Sequence, residues 1–198
     1  MPETTRSVTR RPPLPEAEHG PQGQSGSAPI AIKLLAPRAR FTLRLDPALL
    51  PRASTVAGFP LDLPVNRCAV TGGRRSMRLG PDEWLLWCQP KEESHIAHEV
   101  ETSLHGLHHA LIDIGHAQVA LSVAGNRAAN VINAGCPLDL HDTVFPAGTA
   151  TRTLLGKAEI ILSRWDDRPA FEVECGRSFA AYVREFLAQA ARQYLGEV

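Results

Sequence analysis

Residues 78–88 read RLGPDEWLLWC, and this stretch carries the strongest prediction about the fold. Pro81 presets the backbone for a turn, and the residues from Trp84 to Cys88 are apolar throughout. A short apolar run after a turn is typical of a buried strand. On a strand, Trp84 and Trp87 are three positions apart and therefore point to opposite faces. One indole can serve the core, while the other must be covered by a helix, a long loop or another subunit.

The two tryptophans are the interface candidates of this chain, because tryptophan is enriched among the residues that dominate binding energy at protein interfaces. The acidic pair before them, Asp82 and Glu83, invites a different interpretation as an acid–base pair. Adjacent side chains diverge in both helices and strands, however, so sequence neighbours seldom share a proton. We interpret the pair as part of the turn, with Asp82 bonded to nearby backbone N–H groups.

Hydrophobic periodicity predicts the other elements. Strands are predicted at 40–45, 68–71, 76–79, 84–88, 111–114, 119–123, 149–155, 159–164 and 170–175. Helices are predicted at 91–104, at about 126–134 and from about 178, the last with Phe179, Val183, Phe186, Leu187, Ala190 and Tyr194 on one side. Four prolines between 46 and 64 exclude a continuous helix or central strand, so a long surface connection is expected there. Directly joined strands in this mixed order predict an α+β fold, an antiparallel sheet with helices packed on one face.

The chain is expected to divide into a tail and one domain. Residues 1–28 are rich in proline, glycine, serine and charge, and are nearly free of large apolar residues. Such a segment buries too little surface to offset its ordering entropy, so we expect a disordered tail or an arm that orders on a partner. Residues 29–198 are expected to form a single α+β domain.

The charge balance argues against several classes of partner. Basic and acidic residues both number 21, so the formal net charge is zero. Nucleic-acid binding and polybasic membrane anchoring both require a clear excess of positive charge, so neither is expected. The sequence contains no run of roughly 18 apolar residues and no apolar signal region, so a cytoplasmic location is expected. Charge repulsion does little to keep a chain of zero net charge from associating with other proteins, which favours a role in a multi-subunit assembly.

No residue stands out as catalytic, cofactor-binding or metal-binding. The four cysteines lie far apart, which fits buried reduced thiols; Cys136 follows a predicted helix C-terminus, where the dipole does not stabilise a thiolate. Several histidines cluster between 95 and 116, but His98 lies opposite the apolar stripe of its helix, and nothing makes the histidines converge. No G-x-G-x-x-G or Walker-type loop is present.

Four longer stretches together resemble the gamma subunit of heterotetrameric sarcosine oxidase. They are LGPDEWLLWC at 79–88, IDIGHAQVALSVAG at 112–125, AGCPLDLHDTVFPAGTATRTLLGKAEIIL at 134–162 and FEVECGRSFAAYVREFL at 171–187. The resemblance runs from about residue 40 to the end and is specific because separate motifs recur in the same order.

The resemblance implies a place in a four-subunit enzyme that oxidatively demethylates sarcosine to glycine. The reaction consumes O2 and yields hydrogen peroxide, and the one-carbon unit leaves as formaldehyde or passes to tetrahydrofolate. The expected partners are the alpha, beta and delta subunits. The resemblance implies that FAD, FMN, NAD, zinc and tetrahydrofolate are bound by those partners, and that the gamma chain is a structural subunit with no cofactor of its own.

The gamma fold is also similar to the N-terminal, folate-binding part of aminomethyltransferases. That family usually has a serine where this sequence has Gly115, in Asp113-Ile114-Gly115-His116, and it has a paired acidic motif where this sequence has Glu159 alone. These two departures argue against independent folate catalysis, so a stand-alone aminomethyltransferase-like folate protein is kept as the alternative hypothesis. A regulatory or ligand-binding module of the same fold in another complex is a third.

Overall fold

The computed structural model describes residue 14 and residues 29–50 and 55–194. The predicted tail, 1–28, lies outside the described residues except for Leu14. Leu14 is buried, with 2% of its surface exposed, and belongs to one of the hydrophobic cores.

The described residues form twelve strands and three α-helices, with short 3-10 turns at several of their ends. The strands are β1 (Ala31–Leu34), β2 (Ala39–Leu45), β3 (Thr55–Val56), β4 (Phe59–Pro60), β5 (Arg67–Thr71), β6 (Arg74–Arg78), β7 (Glu83–Cys88), β8 (His109–Asp113), β9 (Gln118–Ala124), β10 (Thr149–Leu155), β11 (Ala158–Arg164) and β12 (Ala170–Gly176). The helices are α1 (Glu93–Ser103), α2 (Ala128–Asn133) and α3 (Ala180–Ala191).

Ten of the strands form one antiparallel sheet in the order β1-β9-β12-β11-β10-β5-β6-β7-β2-β8. The sheet is strongly curled. Arg40 on β2 and Glu174 on β12 are separated by six strand positions, which is about 29 Å in a flat sheet. Their side-chain atoms nevertheless lie 2.9 Å apart. The sheet must therefore bend until its two halves face each other.

A long two-stranded ribbon joins the two halves. β1 runs into β2 through residues 35–38, and β8 runs into β9 through residues 114–117. β1 pairs with β9 and β2 pairs with β8, and hydrogen bonds from Leu35 N to Ala120 O and from Ile114 N to Arg40 O continue the pairing between them. Because β2 belongs to one half of the sheet and β9 to the other, the ribbon closes the curl.

Each half of the sheet has its own hydrophobic core on the outer face, where the helices pack. The first core contains Trp84 and Leu86 of β7 with Ile96 and Val100 of α1. The second contains alternate residues of β9, β11 and β12 with the buried sides of α2 and α3. A third, smaller cluster lies on the inner face and includes Met77, Leu85, Trp87, Ala150 and Ile161. The α+β class, with an antiparallel sheet and helices on one face, is confirmed.

Most predicted elements are confirmed, including the hairpin around Gly72 and Gly73, whose positive φ angles of 57° and 85° suit glycine. The expected surface connection over 46–64 needs correction. Within its described part, Val56, Phe59 and Leu61 are buried and pack in the first core. Prolines prevent a central strand there, yet the β3–β4 hairpin still covers apolar surface because it packs over the sheet.

The predicted apolar side of the last helix is also partly wrong. The buried residues of α3 are Ala180, Val183, Leu187 and Ala191. Phe179 lies in the 3-10 turn before α3 and is 45% exposed. The predicted residues Val183 and Leu187 are buried, and Phe186, Ala190 and Tyr194 pack against the same core while partly exposed. No helix in the described part of the chain is long and apolar enough to cross a membrane.

Candidate functional site on the inner face of the sheet

The inner face of the curled sheet carries an unusual set of buried charges. Odd-numbered residues of β7 and even-numbered residues of β2, β10 and β12 point to this face, because paired residues of neighbouring strands share a side. The charged members of the inner face are Arg40, Arg44, Arg75, Glu83, Arg152, Glu172 and Glu174. They form two groups, one beside the ribbon and one at the opposite end of the strands.

Arg40 and Glu174 form the centre of the group beside the ribbon. Their side chains are only 2% and 1% exposed, and Arg40 Nε lies 2.9 Å from Glu174 Oε1. The approach is not aligned as a hydrogen bond, and both Glu174 oxygens lack an aligned donor among the described residues. Burial raises the pKa of Glu174 to about 7, although Arg40 and Arg38 act in the opposite direction.

Trp87 lies next to this ion pair, between two arginines. Its ring centroid is 5.3 Å from that of Trp165, and the Arg38 guanidinium lies 4.5 Å from the Trp87 centroid. The Arg75 guanidinium lies 4.7 Å from the Trp165 centroid. Glu172 binds Arg38 at 2.7 Å and Arg75 at 2.9 Å. The indoles are thus held by cation–π contacts whose arginines are fixed by one carboxylate.

Trp84 points to the opposite, outer face and is fully buried. Its Nε1 donates a 3.0 Å hydrogen bond to the backbone oxygen of Leu61. Leu61 and Phe59 come from the connection between β2 and β5 and pack over the indole in the first core. The prediction that the tryptophans point to opposite faces is therefore correct, since one joins the first core and the other joins the inner cluster.

Neither interface candidate presents surface to a partner in the described chain. Trp84 is 0% exposed and Trp87 is 1% exposed. The sequence analysis required a helix, a long loop or another subunit to cover the second indole. In the structure, Trp87 is covered by residues of its own chain, namely Trp165 and the stacked arginines. An interface role for Trp84 or Trp87 therefore requires a partner to act through neighbouring groups, and it stays a prediction.

Glu83 is the centre of the second charged group. Its side chain is 8% exposed, and it accepts hydrogen bonds to both carboxylate oxygens from Arg152, one of them at 2.9 Å. Arg44 adds an ion pair at 2.9 Å. The hydrogen bond from Arg152 lowers the pKa of Glu83, with smaller Coulombic help from Arg152 and Arg44. Glu83 is therefore a fixed, ionised carboxylate.

Asp82 has a different environment from its neighbour. Its side chain is 53% exposed and accepts a 2.9 Å hydrogen bond from Arg44 Nη1. The predicted bond from the Asp82 side chain to nearby backbone N–H groups is replaced by this ion pair. The backbone does form the turn, because Leu79 N donates to Glu83 O at 2.9 Å. The two carboxylates are bridged by an arginine and do not share a proton.

The thiols and histidines take ordinary structural positions. All four cysteines are free and buried. Burial raises the pKa of Cys68 to about 12 and those of Cys88 and Cys175 to about 11, away from the reactive thiolate form. Among the residues that the structure describes, no three histidine, cysteine or acidic side chains are grouped as metal ligands would be.

Asp113 and Glu159, which lie in the two motifs compared with aminomethyltransferases, have local roles here. Asp113 Oδ1 accepts a 2.7 Å hydrogen bond from Gly115 N at the bend between β8 and β9. Glu159 is 75% exposed and lies 3.9 Å from Arg152 Nε. Neither carboxylate faces the buried Arg40–Glu174 pair in the arrangement described.

A groove lies elsewhere, on the exposed side of α3. It has a volume of about 350 Å³ and is lined by Ala134, Tyr182, Glu185, Phe186, Gln189 and Ala190. Gly135 and Gly156 allow the aromatic rings to lie against the chain, since a Cβ at Gly135 would be 2.4 Å from Phe186. The Tyr182 hydroxyl accepts a 3.1 Å hydrogen bond from Lys157 N and so ties α3 to the β10–β11 turn.

Sequence reasoning missed the partners of the acidic residues. The sequence analysis assigned no role to Arg40, Arg152 or Glu174, although each is a charged residue within a predicted strand. Charged residues at inward positions of a strand are the available signal, because such residues are seldom buried unless they are paired. That signal identifies a buried charge, but it does not identify the partner on a distant strand.

Comparison with known proteins gives one consistent picture. The family model described as "Sarcosine oxidase, gamma subunit family" matches residues 44–193. The sarcosine oxidase subunit gamma of Corynebacterium sp. (strain U-96) is 24% identical over 173 residues, which cover 86% of this chain and 83% of that protein.

Two solved structures share the fold. Heterotetrameric sarcosine oxidase from Corynebacterium sp. U-96, in complex with pyrrole 2-carboxylate, contains a chain that matches with a TM-score of 0.73 at 20% identity, over 88% of this chain and 89% of that one. The glycine cleavage system aminomethyltransferase T from Bartonella henselae matches with a TM-score of 0.62 at 15% identity, over 81% of this chain but 45% of that one.

Proposed function

This chain belongs to the sarcosine oxidase gamma subunit family, and on that premise we propose that it is a structural subunit of a heterotetrameric sarcosine oxidase. The family model covers residues 44–193, which include every described strand from β3 to β12 and all three helices. The Corynebacterium sarcosine oxidase is heterotetrameric, and the likeness extends over most of this chain and of the matching chain in that structure. Family membership and coverage together support the proposal.

The proposed host enzyme oxidises the N-methyl group of sarcosine. Sarcosine, O2 and water give glycine, formaldehyde and hydrogen peroxide, and the one-carbon unit can instead pass to tetrahydrofolate. We propose that the alpha, beta and delta subunits hold the FAD, FMN, NAD and zinc and that tetrahydrofolate also binds on those partners. The proposed location is the cytoplasm.

The pairing of polar groups on the inner face is the observation that supports the structural role. A buried concave face with converging polar groups is the usual place for a ligand. Here the polar groups of that face bind one another: Arg40 with Glu174, Glu172 with two arginines, and Glu83 with Arg152. The two indoles pack against each other between the arginines. Groups arranged this way hold the halves of the sheet together.

The alternative, a stand-alone folate enzyme, receives less support. Asp113 caps a local bend, and Glu159 is exposed at a hairpin, so neither is placed beside a buried acceptor. The chain also spans less than half of the aminomethyltransferase that it resembles in fold.

Expression with and without partners tests the proposal. The purified chain alone should show no flavin absorbance and no sarcosine turnover. Co-expression with candidate alpha, beta and delta subunits should give a yellow complex that contains the tagged chain and produces hydrogen peroxide from sarcosine. If the isolated chain binds tetrahydrofolate tightly and demethylates an amine, the alternative is correct.

A further inference from the structure

β8 is an edge strand of the sheet. It stands last in the strand order and, among the residues that the structure describes, pairs with β2 alone. Just beyond the strand, Ile114 N donates a 2.9 Å hydrogen bond to Arg40 O of β2. Antiparallel hydrogen bonds alternate along a strand, so Ile112 and Ala110 also bond to β2. The odd-numbered residues of β8 therefore direct their N–H and C=O groups away from the sheet.

This edge lacks the protection that the opposite edge has. An open strand edge invites pairing with another chain, and proteins normally guard such edges with lysine, proline or a bulge. At the other end of the sheet, β1 carries an exposed lysine, Lys33, and lies between Pro29 and Pro37. β8 contains neither residue type, and its Ile112 is 55% exposed. β8 is thus the edge that is open to a further strand.

The sequence of β8 is complementary to itself when two copies run in opposite directions. It reads HALID. Antiparallel pairing about the central leucine sets His109 opposite Asp113, Ala110 opposite Ile112, and Leu111 opposite Leu111. A small side chain then faces a large one, and no like charges are opposed. The outward-directed residues of one copy also lie opposite those of the other, so their backbone groups can exchange hydrogen bonds.

The match between Ala110 and Ile112 is what selects this register. Both side chains are exposed and lie on the same face of β8, two residues apart. The charged ends contribute less, because His109 Nε2 already lies 3.1 Å from Glu101 Oε2. Long-range charge does not oppose the contact, since basic and acidic residues both number 21 and two copies of a neutral chain repel each other little.

We propose that the free chain self-associates as a two-fold symmetric dimer through β8, with Leu111 of each copy at the centre. One continuous sheet then runs through both copies. Each copy contributes the same surface to a two-fold contact, which closes on itself, so this edge produces a dimer and not a filament. The proposal rests on the sheet topology and the sequence of β8, and it is independent of the proposed function.

Charge substitutions in the full-length chain test the register. Ala110→Glu or Ile112→Lys alone should raise the Kd of the dimer about tenfold or more, because each places a charge opposite an apolar residue at two symmetric positions. An equimolar mixture of the two variants should dimerise again, since the new carboxylate of one lies opposite the new ammonium of the other. Sedimentation velocity over a concentration series measures each Kd.

Val70→Lys is the matched control for these variants. Val70 is also a β-branched residue on a strand, β5, and it is 49% exposed. Because β5 lies between β10 and β6 in the sheet, it offers no free edge. Val70→Lys adds the same charge as Ile112→Lys and should leave the Kd of the dimer unchanged.

Amide hydrogen exchange adds a measurement at single residues. The N–H groups of Leu111 and Asp113 point away from the sheet, so their exchange should slow several-fold as the chain concentration rises through the Kd. The N–H groups of Ala110 and Ile112 bond to β2 and should be protected at every concentration. Ile112→Lys should remove the concentration dependence at Leu111 and Asp113.

Three results would overturn the proposal. The first is a chain that stays monomeric at every concentration, and the second is a dimer that Ile112→Lys does not weaken. The third is a mixture of Ala110→Glu and Ile112→Lys that does not dimerise more tightly than either variant alone, which excludes this register. If the N–H groups of Leu111 and Asp113 become protected only when partner subunits are added, the edge is occupied by another subunit instead.

Discussion

Arg40 on β2 and Glu174 on β12 are 134 residues apart in the sequence and 2.9 Å apart in the fold. They lie on opposite halves of the curled sheet, next to the ribbon that joins those halves. The contact can form only when the sheet is fully bent. The pair therefore reports on closure of the sheet, and its removal should affect the stability of the whole domain.

Removing one member of the pair should be more harmful than removing both. Glu174→Leu alone leaves the Arg40 guanidinium in the interior without its carboxylate, and Arg40→Met alone leaves the Glu174 carboxyl without its cation. Each change should destabilise the chain by roughly 3–5 kcal/mol. The double variant removes both charged groups of the pair and should recover most of that loss. Denaturant unfolding of the three variants measures the difference.

A solvent-exposed ion pair provides the matched control for the Arg40 and Glu174 variants. Arg168 and Asp166 are 2.6 Å apart but are 80% and 44% exposed. Asp166→Asn should change the unfolding midpoint far less than either single change at the buried pair. Equal effects at the two sites would show that burial is not what makes the Arg40–Glu174 pair important.

Glu174 should also make stability depend on pH. Burial raises its pKa from an ordinary value of 4.5 to about 7. Between these values the folded state holds a proton that the unfolded state has released, so the contribution is complete below about pH 4.5 and is lost as the pH rises to about 7. Glu174→Gln should remove this part of the pH dependence. A variant with the wild-type pH profile of unfolding would assign the dependence to other groups.

Glu83 should contribute with the opposite sign. Its pKa is lowered in the folded state by the hydrogen bond from Arg152, so its stabilisation is present above the ordinary value of 4.5 and is lost as the pH falls. Glu83→Gln should destabilise the chain at neutral pH by about 1–2 kcal/mol, because Arg152 is 40% exposed and water screens the pair. Unfolding at pH 7 and at pH 3 compares the two conditions, and added salt should reduce the loss at pH 7.

The tryptophans can be tested as core residues and as interface residues in one experiment. Trp84→Ala and Trp87→Ala each empty a buried site and should destabilise the free chain by roughly 3–5 kcal/mol. Trp84→Phe should cost less, since it keeps an aromatic ring in the site and loses only the hydrogen bond to Leu61 O and part of the buried volume. If a variant keeps wild-type stability as a free chain but weakens subunit assembly by about 2 kcal/mol or more, the interface role is correct instead.

Local patterns were sufficient to predict most of the elements. β7 could be predicted because an apolar run followed a proline turn, and the β5–β6 hairpin because two adjacent glycines separated two strand-like runs. The apolar side of α3 was harder to predict. Phe179 has the apolar character of a core residue but lies in the 3-10 turn before the helix, so the helical period did not apply to it.

The charged groups of the inner face could not be predicted in the same way. Glu83 binds Arg152, which comes from β10, three strands away in the sheet, and no local pattern points to this contact. Strand periodicity gives the side of a strand on which a residue lies. It does not give the curvature that brings two distant strands together.

The sequence by itself determined most of the strands, turns and helices to within a few residues, and it placed Trp84 and Trp87 on opposite faces of one strand. These features depend on backbone preferences and on side-chain periodicity within a few residues. Only the tertiary structure decided that both indoles are buried, that Arg40 meets Glu174, and that Leu14 packs in the second core. Those outcomes depend on long-range packing, because closure of the sheet brings Arg40 to Glu174 and the connection between β2 and β5 covers Trp84. No local pattern connects these residues.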